Sequence, residues 1–353
     1  MWIASDVINA RYHPRDMVQE SGINRGTILV TGGAGYIGSH VVRQLGEAGQ
    51  RVVTLDNLSR GFRGAVLYGD LVVGDTGDAA TVARVLADYA VDTVMHFAAF
   101  TIVPESVAQP LKYYANNTGG TQTLLECCVE AGVQQFVFSS TAAVYGIPEG
   151  GLASEDTPTA PINPYGTSKL VSEWMLRDVA RAKPLRYVAL RYFNVAGSDP
   201  GGRIGQSTPG ATLLTKVAAE HVVGRRPHVP IFGADYPTPD GTGIRDYIHV
   251  EDLASAHLKA LAYLRGGGAS VTLNCGYGRG YSVREVLDAV ARAAGRPLVT
   301  RTEPRRAGDP PVLVARADRI RSVLGWQPEH DDLDHIVRTV LAWERRLLEQ
   351  PAA

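Results

Sequence analysis

The chain has 353 residues, 45% of them hydrophobic and 20% charged, which is enough length for one large α/β unit or two lobes around a substantial core. Lys and Arg total 35 against 36 Asp and Glu, a formal net charge of −1, so composition supplies no electrostatic footprint for nucleic acid or an anionic membrane. The cysteines number three and include the adjacent pair Cys127-Cys128, which argues against a disulfide framework and for a reducing cytoplasm.

No apolar run approaches the roughly 18 residues needed to cross a bilayer. Asp6, Arg11, Arg15 and Asp16 interrupt any signal-like apolar stretch, and residues 1–26 read as a loose extension in which Met17 is an alternative start.

From Thr27 onward short apolar runs alternate with helix-period segments, the βαβ pattern of a parallel sheet. Strands are expected at Thr27–Thr31, Arg51–Asp56, Leu71–Gly74, Asp92–Ala98, Gln135–Ser140 and Tyr187–Phe193. Helices are expected at Tyr36–Ala48, Ala79–Tyr89, Pro110–Ala131 and Pro164–Arg181. Runs such as ILV and RYVALRYF are continuously apolar, as they must be where helices cover both faces of a sheet. The fold class is therefore α/β, a doubly wound, Rossmann-like sheet over residues 27–195.

Beyond Asn194 the texture changes. The stretches Gly197–Gly210 and Gly233–Gly243 are rich in Gly, Pro, Ser and Asp, which predicts a smaller, loop-rich substrate-binding lobe over 196–353 with only brief helices and strands. Residues 245–275, including a helix at Val250–Leu264, are expected to pack back on the first domain.

Thr31-Gly32-Gly33-Ala34-Gly35-Tyr36-Ile37-Gly38 places G-x-x-G-x-x-G between the first strand and the first helix. Glycine at Gly32, Gly35 and Gly38 serves a tight turn, close approach of backbone N–H to a pyrophosphate, and helix-to-strand packing. Eighteen residues past Gly38 the second strand ends in Asp56-Asn57. A carboxylate there accepts from a ribose diol and repels a 2′-phosphate, which favours NAD over NADP, although Arg60 and Arg63 lie close by. Asp75 closes the third strand and is placed either for the adenine amino group or as the cap of the helix that follows.

Tyr165-Gly166-Thr167-Ser168-Lys169 carries Y-x-x-x-K at helical spacing, which puts phenol and ammonium on one face about 6 Å apart. Five of the 35 basic residues are lysine, so a lysine at this position is informative. An ammonium and an oxidised nicotinamide together are expected to lower the phenol pKa toward neutrality and make Tyr165 a general base. Thr141, at the carboxyl edge of the fifth strand, has a hydroxyl that either bridges substrate oxygen and Tyr165 or satisfies loop backbone.

The segments VTGGAGYIGSH, LDNLSRG, VMHFAAF, PESVAQPLKYYANN, FSSTAAVYG, NPYGTSK, LRYFNVAG and GTGIRDYIHVEDLA resemble the UDP-glucose 4-epimerases of the extended short-chain dehydrogenase/reductase family, from about Thr27 to the final helix. The resemblance implies a bound NAD and a homodimer formed through helices near Pro110–Ala131 and Pro164–Arg181. It also implies oxidation at the sugar C4, a transient 4-keto sugar that turns its other face, and reduction to the inverted alcohol. Tyr165, Lys169 and Thr141 would be catalytic. Tyr36, Ile37, Asp56, Asp75, Thr76, Phe97, Ala98, Ala99, Asn116, Lys169 and Phe193 would line the cofactor. Asn194, Phe232, Arg245, Arg306 and Asp309 would hold the UDP moiety, with no metal ligand set. Two arginines able to fork onto phosphate oxygens make chemical sense of this, although Arg245 could simply pair with Asp246, and Arg306 could belong to a solvated basic loop.

Departures from the family pattern are Thr101 where many members have lysine, Thr141 for a serine, Leu213 for a polar anchor and Leu313 near a position that gates N-acetylated sugars. The 4,6-dehydratases of the same scaffold carry an Asp-Glu pair after the Thr, where this chain has Ala142 and Ala143. C4 epimerisation of another UDP-sugar, such as UDP-N-acetylglucosamine, UDP-xylose or UDP-glucuronate, and a non-catalytic NAD-sensing protein are the remaining alternatives.

Overall fold

The computed structural model describes residues 26–208 and 210–349. The extension over 1–26 lies, but for Gly26, outside them.

The first domain opens with β1 (Thr27–Thr31), whose five residues are all buried because helices cover both faces. Then follow α1 (Tyr36–Glu47), β2 (Val52–Asp56), β3 (Asp70–Val73), α2 (Ala79–Asp88) and β4 (Val91–His96). Beyond β4 come α3 (Val103–Ala108), α4 (Pro110–Tyr113), α5 (Gly120–Glu130), β5 (Gln135–Thr141), a two-residue β6 (Leu152–Ala153), α6 (Pro164–Ala182) and β7 (Arg186–Tyr192).

The expected single helix over Pro110–Ala131 is three pieces, because Tyr114–Gly119 winds as a π-helix between α4 and α5. The wide turn buries Asn117, which bonds Phe100 through both backbone groups (2.8 and 3.0 Å) and the Ser168 hydroxyl (3.1 Å). Insertions of this kind mark functional positions in helices.

The second region contributes β8 (Asn194–Ala196), α7 (Leu214–Val222), β9 (Val229–Phe232), β10 (Ile244–His249), α8 (Val250–Arg265), β11 (Val271–Cys275) and β12 (Gly280–Ser282). It ends with α9 (Val283–Ala294), β13 (Thr300–Glu303), β14 (Val312–Ala315), α10 (Asp318–Leu324) and α11 (Leu333–Glu349). The helix expected at Val250–Leu264 is α8, of 16 residues, and the expectation of otherwise brief helices here is corrected by α9 and α11 at 12 and 17 residues. Their apolar stripes are interleaved with Arg and Glu, which a search for apolar runs passes over.

The main sheet is parallel in the order β11-β7-β5-β4-β1-β2-β3, seven strands rather than the six expected. The extra strand is β11, in register with β7 through Leu273↔Leu190. Order reverses between β1 and β4, the switch point where open sheets of this kind bind ligands. A core of Val41, Leu45, Leu253 and Trp326 covers one face, and a core of Leu86, Leu124, Phe136 and Leu176 covers the other. Helix α8 lies on α1, where Glu251 receives His40 Nδ1 at 2.5 Å, Gln44 Nε2 at 2.8 Å and the guanidinium of Arg43. A third core of Val217, Val286 and Ile336 lies among α7, α9 and α11.

Candidate active site

Helix α1 begins where the glycine turn demands it. Gly32 has φ +71°, a left-handed conformation, and a Cβ there would lie 2.6 Å from the Ala98 nitrogen. At Gly38 a Cβ would lie 2.3 Å from the Gly32 carbonyl oxygen. Gly35 is the N-cap and offers no side-chain acceptor, so the first N–H groups of α1 are left for a ligand. Asp56 is buried and accepts from Ala34 N at 3.0 Å and Leu58 N at 2.8 Å, while burial raises its pKa. Asp75 accepts from Gly77 N and from the Asn57 amide, each at 2.8 Å. The cap of α2 is Asp78, which accepts from Ala80 N and Thr81 N, so the capping alternative for Asp75 falls away. Side-chain-free space over the turn, unused helix N–H groups and a carboxylate at the end of β2 fit a dinucleotide.

Asn163 caps α6 by accepting from Gly166 N at 2.8 Å, and Pro164 opens the helix, which sets Tyr165 in its first turn. The Thr141 hydroxyl acts on the Tyr165 phenol and lowers its pKa. Thr141 Oγ1 also accepts from Ala143 N at 3.1 Å, so its hydroxyl serves the loop and the phenol together. Lys169 lies buried one turn on and donates to the Ser139 carbonyl at 2.8 Å, with its ammonium 4.9 Å from the Phe138 ring centre.

The expected lowering of the phenol pKa is not produced by this chain's own groups. Burial raises it, and the neighbouring Thr141 hydroxyl only partly offsets that. Burial instead pushes Lys169 down to about 7, against the pull of the Glu173 carboxylate. Helical spacing had brought phenol and lysine together, but the depth at which the lysine is buried is a tertiary property.

Tyr165 and Thr141 line a cavity of about 380 Å³. It also reaches Gly32, Gly35, Tyr36, Ile37, Gly38, Phe97, Ala99, Phe193, Asn194, Arg245 and Asp309, together with Thr101, Leu213 and Leu313. A smaller adjoining cleft of about 90 Å³ is lined by Asp56, Asn57, Asp75, Thr76, Ala98 and Asn116. Arg245 makes no pair with Asp246. Its guanidinium donates to the Ile244 carbonyl at 2.8 Å, whereas Asp246 accepts from the backbone of Tyr277, Gly278 and Ala315. Phe232 and Arg306 are not brought into the cavity lining. The Arg306 guanidinium lies 3.7 Å over the Phe232 ring centre, and its burial lowers its pKa.

A family model described as the NAD dependent epimerase/dehydratase family matches residues 28–276. The chain belongs to that family. A UDP-glucose 4-epimerase from Azospirillum brasilense is 59% identical over 321 residues, which cover 91% of this chain and 92% of that one. The structure of UDP-glucose 4-epimerase from Brucella ovis in complex with NAD superposes with a TM-score of 0.87 at 45% identity, covering 90% of this chain and 98% of that one. UDP-glucose 4-epimerase from Bifidobacterium longum in complex with NAD+ and UDP gives a TM-score of 0.87 at 39% identity, covering 91% and 98%.

In this epimerase/dehydratase chain several site residues escape a reading of the sequence. Ser139 holds Lys169 through its carbonyl, a backbone contact that no side-chain pattern signals. Asn117 gives a weak signal as half of an Asn-Asn pair inside a helical stretch. Tyr192 also lines the cavity, and the loop holding Gln206 and Thr208 joins it from the second lobe.

Proposed function

We propose that the chain interconverts UDP-glucose and UDP-galactose by C4 epimerisation, with NAD as a resident cofactor. One observation carries this reading. The Tyr165 hydroxyl and its Thr141 partner, with Lys169 buried in the next turn, line a cavity bounded on one side by the glycine turn and on the other by Arg245 and Asp309.

Bound NAD+ supplies a reversible acceptor for the hydrogen on the sugar C4. Tyr165 takes the proton of the 4-hydroxyl and later returns it, with Thr141 holding the oxygen in line. Lys169, able to gain or lose its proton near pH 7, balances the charge of the phenolate. Arg245 and Asp309 anchor the phosphates and ribose, so the sugar is held by its nucleotide end. Around the reacting carbon, Ala142 and Ala143 offer no side-chain hydrogen bond, which leaves the 4-keto sugar free to turn its other face. These alanines also leave elimination without the proton carriers that a 4,6-dehydratase needs.

Phe232, Arg306 and the adenosine-side residues Asp56, Asn57, Asp75, Thr76 and Asn116 belong to the same reading. A homodimer is supported by apolar side chains left exposed on neighbouring helices: Val107 on α3, Leu111 on α4 and Trp174 on α6, at 46%, 79% and 47% exposure. Sedimentation would show a dimer. A cytoplasmic site is supported by three buried free thiols. Among the described residues no helix is long and apolar enough to cross a membrane.

Incubation with UDP-galactose and no added NAD should yield UDP-glucose. A 4-keto-6-deoxy product, or no turnover by protein that binds NAD, would overturn the proposal. A panel with UDP-N-acetylglucosamine, UDP-xylose and UDP-glucuronate ranks the sugars.

A further inference from the structure

We infer that Glu173 is a positioning residue for the proposed epimerisation, which clamps α6 to the end of β5 and fixes a negative charge one turn beyond Lys169; the inference rests on the C4-epimerisation reading above. Tyr165, Lys169 and Glu173 follow one another at intervals of four and so share a face of α6. Lys169 donates to the Ser139 carbonyl at 2.8 Å, and Glu173 accepts from the Ser140 hydroxyl at 2.5 Å, so two successive turns of the helix grip two successive residues of β5. The next residue of that strand is Thr141. The same carboxylate takes the fork of Arg191, with Nε at 2.9 Å and Nη2 at 2.5 Å, from the position of β7 that is in register with Ser140. Arg191 also donates to the Tyr145 hydroxyl at 2.9 Å, and Tyr145 closes the short helical turn Ala142–Tyr145 that starts from Thr141. Thr141 is thereby held from both sides.

Glu173, Arg191 and Ser140 are buried and line neither the large cavity nor the adjoining cleft, so they reach the reaction only through Lys169, Tyr165 and Thr141. A buried ion pair is weak support for stability, because desolvation offsets most of its attraction. Its electrical effect on a neighbouring buried ammonium is direct. Burial drives the proton off Lys169, and the Glu173 carboxylate pulls against that. The other titratable groups around the pair are His96 of β4, which burial keeps neutral, Tyr187 of β7, and Tyr145. Toward Tyr165 they are Tyr192 of β7 and Tyr113 of α4, which donates to Glu105 of α3 at 2.9 Å. Burial raises the pKa of each of these four tyrosines, so near pH 7 the charges beside Lys169 are those of Glu173 and Arg191.

The test uses the full chain as purified, labelled with carbon-13 at the lysine Cε, and follows the titration of Lys169 by NMR, with Lys169→Met identifying its signal among the five lysines. Glu173→Gln keeps the size of the side chain and removes its charge. Lys169 should then lose its proton about one pH unit lower than in wild type, and the upper-pH limb of kcat on UDP-galactose should move down with it. Glu173→Asp keeps the charge, so it should leave the Lys169 titration near its wild-type position while lowering kcat through its shorter reach. If Glu173→Gln does not fold with Arg191 unpaired, Glu173→Gln combined with Arg191→Met removes both buried charges and should show the same downward shift. An unshifted Lys169 titration in the folded variant overturns the inference, as does an equal shift in Glu173→Asp. A wild type whose Lys169 titrates but which turns over no UDP-galactose defeats the underlying reading of the reaction instead, so the two failures are distinct.

Discussion

The Lys169 ammonium donates to the Ser139 carbonyl across 2.8 Å and so ties α6 to the end of the strand that carries Thr141. Phenol, lysine and threonine hold one geometry because this contact joins helix to sheet. Lys169→Met should therefore reduce kcat by about 100-fold or more, the range of a lost general acid–base partner, in a UDP-galactose turnover assay. Full turnover in this variant would refute the role.

Tyr165→Phe removes the hydroxyl to which the proposed mechanism assigns the proton, and little else. Turnover should fall by a factor of about 10² to 10⁴, while NAD stays bound in the purified protein. Thr141→Val should fall by a smaller factor, with Thr141→Ser recovering most of it, since only the hydroxyl acts on Tyr165 and accepts from Ala143 N. Steady-state kinetics on the three variants distinguishes the roles.

Gly38 lies in the first turn of α1, where alanine would normally favour a helix. Here its Cβ would meet the backbone of the glycine turn, the Gly32 oxygen at 2.3 Å and the Gly33 Cα at 2.9 Å, so no rotamer change can relieve it. Gly38→Ala should cost about 1–3 kcal/mol of stability and displace the cofactor turn. Thermal unfolding with and without NAD measures both effects.

Asp56 accepts two backbone N–H groups with one carboxylate. Asparagine would turn an amide donor toward one of them. Asp56→Asn should bind NAD about 10-fold or more weakly, which titration would measure, because a buried hydrogen bond to a charged group is lost.

Acid should unfold the protein early. Burial holds His96 and His249 to about 3 and His257 to about 4, well below their ordinary value of 6.5. Between those values and 6.5 the unfolded chain binds more protons, so their contribution is complete above pH 6.5 and lost as pH falls toward 3–4. Asp246, raised to about 6 by burial, runs the other way, because the folded state keeps its proton up to that pH, and it offsets one of the three. Each proton in excess steepens the fall by about 1.4 kcal/mol per pH unit. Unfolding midpoints taken from pH 7 down to 4.5 should decline throughout, and a flat profile would contradict the burial argument.

Much of the first domain was legible because its information is local. Continuous apolar runs such as ILV mark strands covered on both faces, the glycine spacing marks a turn whose φ and close contacts exclude a Cβ, and Y-x-x-x-K marks one helix face. What lies far apart in the chain was not legible. β11 joins the sheet beside β7 across about 80 residues, and Asp78 rather than Asp75 caps α2 because loop geometry, not residue type, chooses the cap.

By itself the sequence determined the doubly wound α/β class, the position of the glycine turn and the identity of the tyrosine, lysine and threonine that meet beyond it. Tertiary structure alone decided the direction in which burial shifts the proton affinities of Tyr165 and Lys169. It also decided that Phe232 and Arg306 stack on each other. The physical reason is that desolvation and convergence depend on which distant segments pack around a group, whereas propensity and spacing act within a few residues.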